Sequence, residues 1–210
     1  AEAVRMMAEI SARQGGRLGA DRARAERMLL GADAKTLAPA FKEARVVVEQ
    51  AFAREKEALA STGFFAGADA AAGAVLTGRL AGLDAGRISD LRTLDVLYAA
   101  RSRALGVPAA KPLPTKDEVR LAGVVPVRTE KMGDMMAMWG LREEFRKLAY
   151  QAPPSILVAE MELRNFIDGR RSVLDIRDAA SAEFGPIDLL DLEAWMNVQE
   201  KVGLVTLKKK

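Results

Sequence analysis

The chain has 210 residues, half of them hydrophobic but only 5% aromatic, with 32 basic and 29 acidic side chains for a net charge of +3. It contains neither histidine nor cysteine, which excludes disulfides, thiolate or imidazole zinc sites, and every nucleophile arrangement that needs an imidazole base. Rich in alanine and charge and poor in β-branched runs, it has the composition of a mainly α protein with one or two cores. No apolar run approaches the ~18 residues that a membrane span requires.

In chain order, Val4, Met7 and Ile10 share one stripe of a helix from Ala1 to Gln14, which Gly15-Gly16 is expected to stop. The opening carries no cap and reads as a helix entered partway, as if cut from something longer. Arg17 to Leu30 forms a second helix closed by Gly31. Arg22, Arg24 and Arg27 lie among Asp21 and Glu26 with no aromatic for base stacking, so they read as a solvated face rather than an RNA site. Pro39 suits the first turn of a long helix to about Thr62, whose Phe41, Ala44, Val48, Phe52 and Leu59 make one buried face. Gly63 and Gly67 mark a turn with Phe64 and Phe65 tucked beneath it. Asp69 caps a short helix to about Leu80, in which Gly73 and Gly78 cost ~1 kcal/mol each against alanine. Neither glycine has phosphate-loop spacing. Ser89 caps the next helix, with Leu91, Leu94, Leu97, Tyr98 and Leu105 inward and Gly106 and Pro108 ending it.

The stretch "GVPAAKPLPTKDE" reads as an extended polyproline linker. It separates a helical region (1–105) from the C-terminal half, with the linker at 106–118, an extended arm plus Met-rich helix at 119–154, and a winged-helix-like module at 155–210. "VRLAGVVPVRTEK" suits a short strand broken by Pro126, or an arm over another surface. In "MGDMMAMWGLREEFRKLAY", clustered methionines suit an irregular core or an adaptable partner face, and Met135, Met136, Met138 and Trp139 are candidate partner contacts. Ser155 then caps a helix with Ile156, Leu157, Met161 and Phe166-Ile167 on its apolar side, and Asp168-Gly169 turns the chain. Ser172 to Asp175 is a capping box opening a helix that buries Val173, Ile176, Ala180 and Phe184 and stops at Gly185-Pro186. Asp188 opens a third helix to Gly203, and Leu204, Val205 and Leu207 lie on a strand, a second set of candidate contacts. Three helices and a strand in about fifty residues form a winged-helix arrangement. Were it to read DNA, the third helix would enter the major groove. That helix is acidic, and residues 155–207 carry ten acids and five bases, the wrong sign for phosphate, so no nucleic-acid partner is expected.

"FIDGRRSVLDIRDAASAEFGPIDLLDLEAWMNVQEKVGLV" resembles the winged-helix segment at the C-terminal end of some bacterial zinc exopeptidases of peptidase family twenty-eight, the aminopeptidase Y group. "VVPVRTEKMGDM" and "FAREKEALAS" also resemble stretches between the catalytic domain and that segment. The last fifty residues are also similar to small peptide-binding winged helices of the PqqD kind. The first resemblance implies a non-catalytic accessory region for assembly, substrate gating or oligomerisation. It further implies a catalytic peptidase domain or subunit, or a second copy of the chain, as partner, and a periplasmic or extracellular setting. The peptidases hold two zinc ions with histidines and carboxylates, so with no histidine here no ligand or catalytic residue carries over and the zinc belongs to the catalytic domain. The second resemblance implies a peptide laid along the strand from Leu204 to Leu207 for another enzyme. A DNA-binding regulator is the third reading.

Overall fold

A computed structural model describes residues 2–67, 69–133 and 141–210. They are mainly helical, with one two-stranded sheet among the described residues. They form two compact units, 1–112 and 113–210, dividing inside the proline-spaced stretch between Pro112 and Leu113.

The first unit is built on three long helices, α1 (Glu2–Gly31), α2 (Leu37–Ser61) and α4 (Ala70–Leu105), with a single turn, α3 (Gly63–Ala66), before the last. α1 runs unbroken through Gly15-Gly16, where a break was expected. Two glycines cost about 2 kcal/mol together, but the buried face continues across them, from Met7 and Ile10 through Leu18 to Ala25 and Leu29. Tertiary burial of one face outweighs local propensity. α4 likewise absorbs the two expected helices, with Ser89 in its interior rather than at a cap, while Asp69 does cap it by accepting from the N–H groups of Ala71 and Ala72. The core joins Phe41, Ala44, Val48, Phe52 and Leu59 of α2 to Leu83, Leu91, Leu94 and Tyr98 of α4 and to Met7 and Leu29 of α1. The rings of Phe41 and Tyr98 stack at 4.1 Å.

Ion pairs close all three seams of this bundle and set its register. Glu55, buried on α2, takes a forked contact from Arg17 of α1, with both N···O distances 2.6 Å. Buried Asp90 of α4 pairs with Arg22 of α1. Arg45–Asp95, Glu49–Arg87 and Lys56–Asp84 join α2 to α4. The pairs place α1 parallel to α4 and antiparallel to α2. After α4 the chain folds back: the Tyr98 hydroxyl donates to the Ala110 carbonyl and Lys111 reaches Asp95. Phe64 and Phe65, expected beneath their turn, are instead 87% and 55% exposed and meet each other edge to face at 5.4 Å. Consecutive helical residues lie ~100° apart, and in this one turn Gly63 takes the inward place, against Leu76.

The second unit contains α5 (Lys116–Leu121), β1 (Val124–Arg128), α6 (Glu130–Gly133), α7 (Arg142–Lys147), α8 (Pro154–Phe166), α9 (Val173–Phe184), α10 (Leu189–Lys201) and β2 (Val205–Lys209). Thr115 and Glu118 form a capping box at α5. α8 starts at Pro154, one residue before the expected cap at Ser155, because proline there has no N–H to satisfy. Asp168 accepts from the N–H groups of Arg170 and Arg171, and Gly169 takes φ 76°, so the chain reverses into α9. The Ser172–Asp175 capping box and the Asp188 cap form as expected. Ile156, Ala159 and Leu163 of α8 meet Val173, Ile176 and Ala180 of α9, Leu192, Trp195 and Met196 of α10, and Val205. Phe184, expected inward, ends α9 exposed.

β2 pairs antiparallel with β1, which lies well ahead of the three helices in sequence, with Pro126 opposite Leu207. The Thr129 N–H donates to the Leu204 carbonyl and the Lys210 N–H to the Gly123 carbonyl. Alternation from these two bonds makes Val125–Lys208 and Val127–Thr206 the bonded pairs. Pro126 is therefore tolerated inside the strand, since the missing N–H is one that would face outward.

Candidate functional site

No group of three or more acidic side chains is arranged to hold a metal ion among the described residues. Nor do the displaced titrations point to acid–base chemistry. Hydrogen bonds to Glu193 and Asp117 raise the Arg120 pKa, and the bond to Glu55 raises that of Arg17. Burial pushes the Tyr150 phenol up, with Asp191 and Glu160 adding to it. The Thr36 hydroxyl and the backbone N–H groups of Thr36 and Lys35 hold Asp33 below the usual carboxylate range. Burial pushes Asp168 up, but the N–H groups of Arg171 and Arg170 and the Arg171 charge outweigh it and leave the carboxyl low. Each of these groups moves away from neutrality, whereas a general acid or base is tuned toward it. The expected solvated arginines of α1 include Arg22, which is committed to Asp90.

Met135, Met136, Met138 and Trp139 lie outside the described residues. Leu204 and Val205 are buried, the first with Leu141 and Val202 and the second in the core under α8, α9 and α10. Leu207 is partly buried against that same core. The side chains of this second set thus face inward, and what β2 offers outward is backbone. By the alternation of the β1–β2 pairs, the N–H and C=O groups of Val205, Leu207 and Lys209 point away from β1. The Leu207 N–H donates to Glu200 Oε1 at 2.8 Å.

Sequence reasoning missed a different surface, on α8. Leu157 and Met161, expected inward, are 58% and 76% exposed, and Val158 beside them is 70% exposed. Positions 157, 158 and 161 share one side of a helix, and Ile156, Ala159 and Leu163 occupy the other. α8 is therefore apolar on two opposed faces, one in the core and one in solvent. The signal was present in the sequence: "ILVAEMEL" carries more large apolar residues than one face of a helix can hold. Glu160, Glu162 and Arg164 flank the stripe, the first and last joined at 2.7 Å.

No protein-family model, curated protein or solved structure matches the chain.

Proposed function

We propose that the chain is a non-catalytic interaction region of a zinc-dependent aminopeptidase, serving its assembly, substrate gating or oligomerisation, with residues 155–210 as a winged-helix module. The outward stripe Leu157, Val158 and Met161 carries the reading, because three large apolar side chains together on one exposed helix face mark a surface that another protein covers. The resemblance of residues 166–205 to the accessory segment of such enzymes names the partner. Two zinc ions do not fit this chain, which has no imidazole or thiolate to bind them, so the metal and the hydrolysis belong to the catalytic domain. The test is to assay the purified chain for aminopeptidase turnover and zinc, and then add it to a family-twenty-eight catalytic domain. Expected are no turnover and no stoichiometric zinc alone, and a changed kcat/KM when added. Turnover with one zinc per chain would overturn the reading, as would a catalytic domain indifferent to it.

One observation favours a second reading, a peptide-recognition winged helix of the PqqD kind: β2 keeps an outer edge unpaired with any strand among the described residues. A DNA-binding regulator has less support. Asp188, Asp191, Glu193 and Glu200 line the helix that would enter the groove, and Glu193 is bound to Arg120.

A further inference from the structure

We infer that the outer edge of β2 receives an acidic peptide in extended form, and that Glu200 holds the edge closed until the peptide displaces it. The inference rests on the peptide-recognition reading and gives it a ligand class. Leu207 and Lys209 turn one N–H and one C=O each away from β1, which is the pattern that an added strand pairs with, while Val205 before them is buried. Pro126 fixes that phase, because its position opposite Leu207 is one at which no bond joins the two strands. Glu200 shows that the edge has a working donor: its carboxylate already fills the place of a peptide carbonyl on the Leu207 N–H. The same carboxylate repels an acidic peptide, so the two compete for one donor.

Charge identifies the occupant. Lys208, Lys209 and Lys210 end the strand and make no ion pair among the described residues. Alternation puts Lys208 and Lys210 on one face of the strand and Lys209 on the other. Acidic side chains of an added strand thus meet a lysine on either face, while a basic peptide meets like charge.

The experiment uses the full chain and three labelled short peptides, alternating Thr-Glu, Thr-Gln and Thr-Lys, followed by fluorescence anisotropy at low and high salt. The acidic peptide is expected to bind about tenfold tighter than the neutral one, with the advantage erased by salt. Glu200→Ala is expected to tighten the acidic peptide most. Leu207→Pro removes an N–H that β1 does not use and is expected to weaken all three. Lys208→Glu with Lys210→Glu is expected to reverse the order of acidic and basic peptides. Equal binding of acidic and neutral peptides would overturn the ligand class and leave the peptide-recognition reading standing. Acidic binding unchanged by Leu207→Pro would overturn the edge as the site. Binding of no peptide would overturn both, leaving the lysines as guards against edge-to-edge aggregation.

Discussion

Glycines distinguish permissive positions from required ones in this chain. A Cβ at Gly15, Gly16 or Gly19 would meet nothing within 4 Å, and all three sit inside α1 with ordinary helical backbone. Replacing each with alanine is expected to stabilise the first unit by about 0.5–1 kcal/mol, measured as a shift in urea midpoint. Gly86 behaves oppositely: its Cβ would lie 3.1 Å from the Phe52 ring, so Gly86→Ala is expected to lower the midpoint. A shift of the same sign at all four would show that α4 does not approach α2 closely there. Asp168 gives the second unit a pH dependence. Its folded pKa lies below the ordinary value, so the stability it contributes is present above the unfolded pKa and is lost as pH falls through the folded one. Asp168→Asn is expected to flatten that acid limb of an unfolding curve. An unchanged limb would show that the Arg170 and Arg171 N–H groups do not hold the carboxylate.

At the scale of elements, the caps at Asp69, Ser172 and Asp188 were legible in the sequence, while the start at Pro154, the Thr115–Glu118 box and helix continuity were not. Asp69, Asp188 and the Ser172–Asp175 box are local devices, complete within four residues, and each forms where the sequence places it. Gly15-Gly16 and Ser89 are local signals too, but burial of a long face and seams such as Arg17–Glu55 override them. The facing of α8 was also beyond local reading, since apolar residues on both sides leave the choice to the partners that α9 and α10 supply. That facing is testable by contrast within one helix. Ile156→Ala is expected to cost about 2–5 kcal/mol, while Leu157→Ala, in solvent, is expected to change stability by less than about 0.5 kcal/mol. Similar losses at both positions would contradict the assigned orientation of α8.

At the scale of the whole molecule, composition made the helical class plain. The sheet was less legible: β1 and β2 lie far apart in sequence, and no local pattern states which strands pair. The candidate site was least legible of all, because an interaction surface is defined by what the core leaves outside. Leu157 and Met161 became candidates only once Ile156, Ala159 and Leu163 were seen to fill the inner face. Charge at this scale yields one further expectation. With α10 acidic, the chain is expected to show no sequence-dependent, salt-sensitive shift of duplex DNA at nanomolar protein. Such a shift would raise the regulator reading above the other two.

Association through the outer face of α8 is the central claim, and sedimentation velocity tests it most directly. The chain is titrated with a family-twenty-eight catalytic domain, and the titration is repeated with Leu157→Glu and Met161→Glu together, exposed positions whose change leaves the core intact. A faster-sedimenting complex that forms with the native chain and is lost in the double variant is the predicted result. A chain that sediments at its own rate at every ratio, or a complex that survives both substitutions, would contradict it.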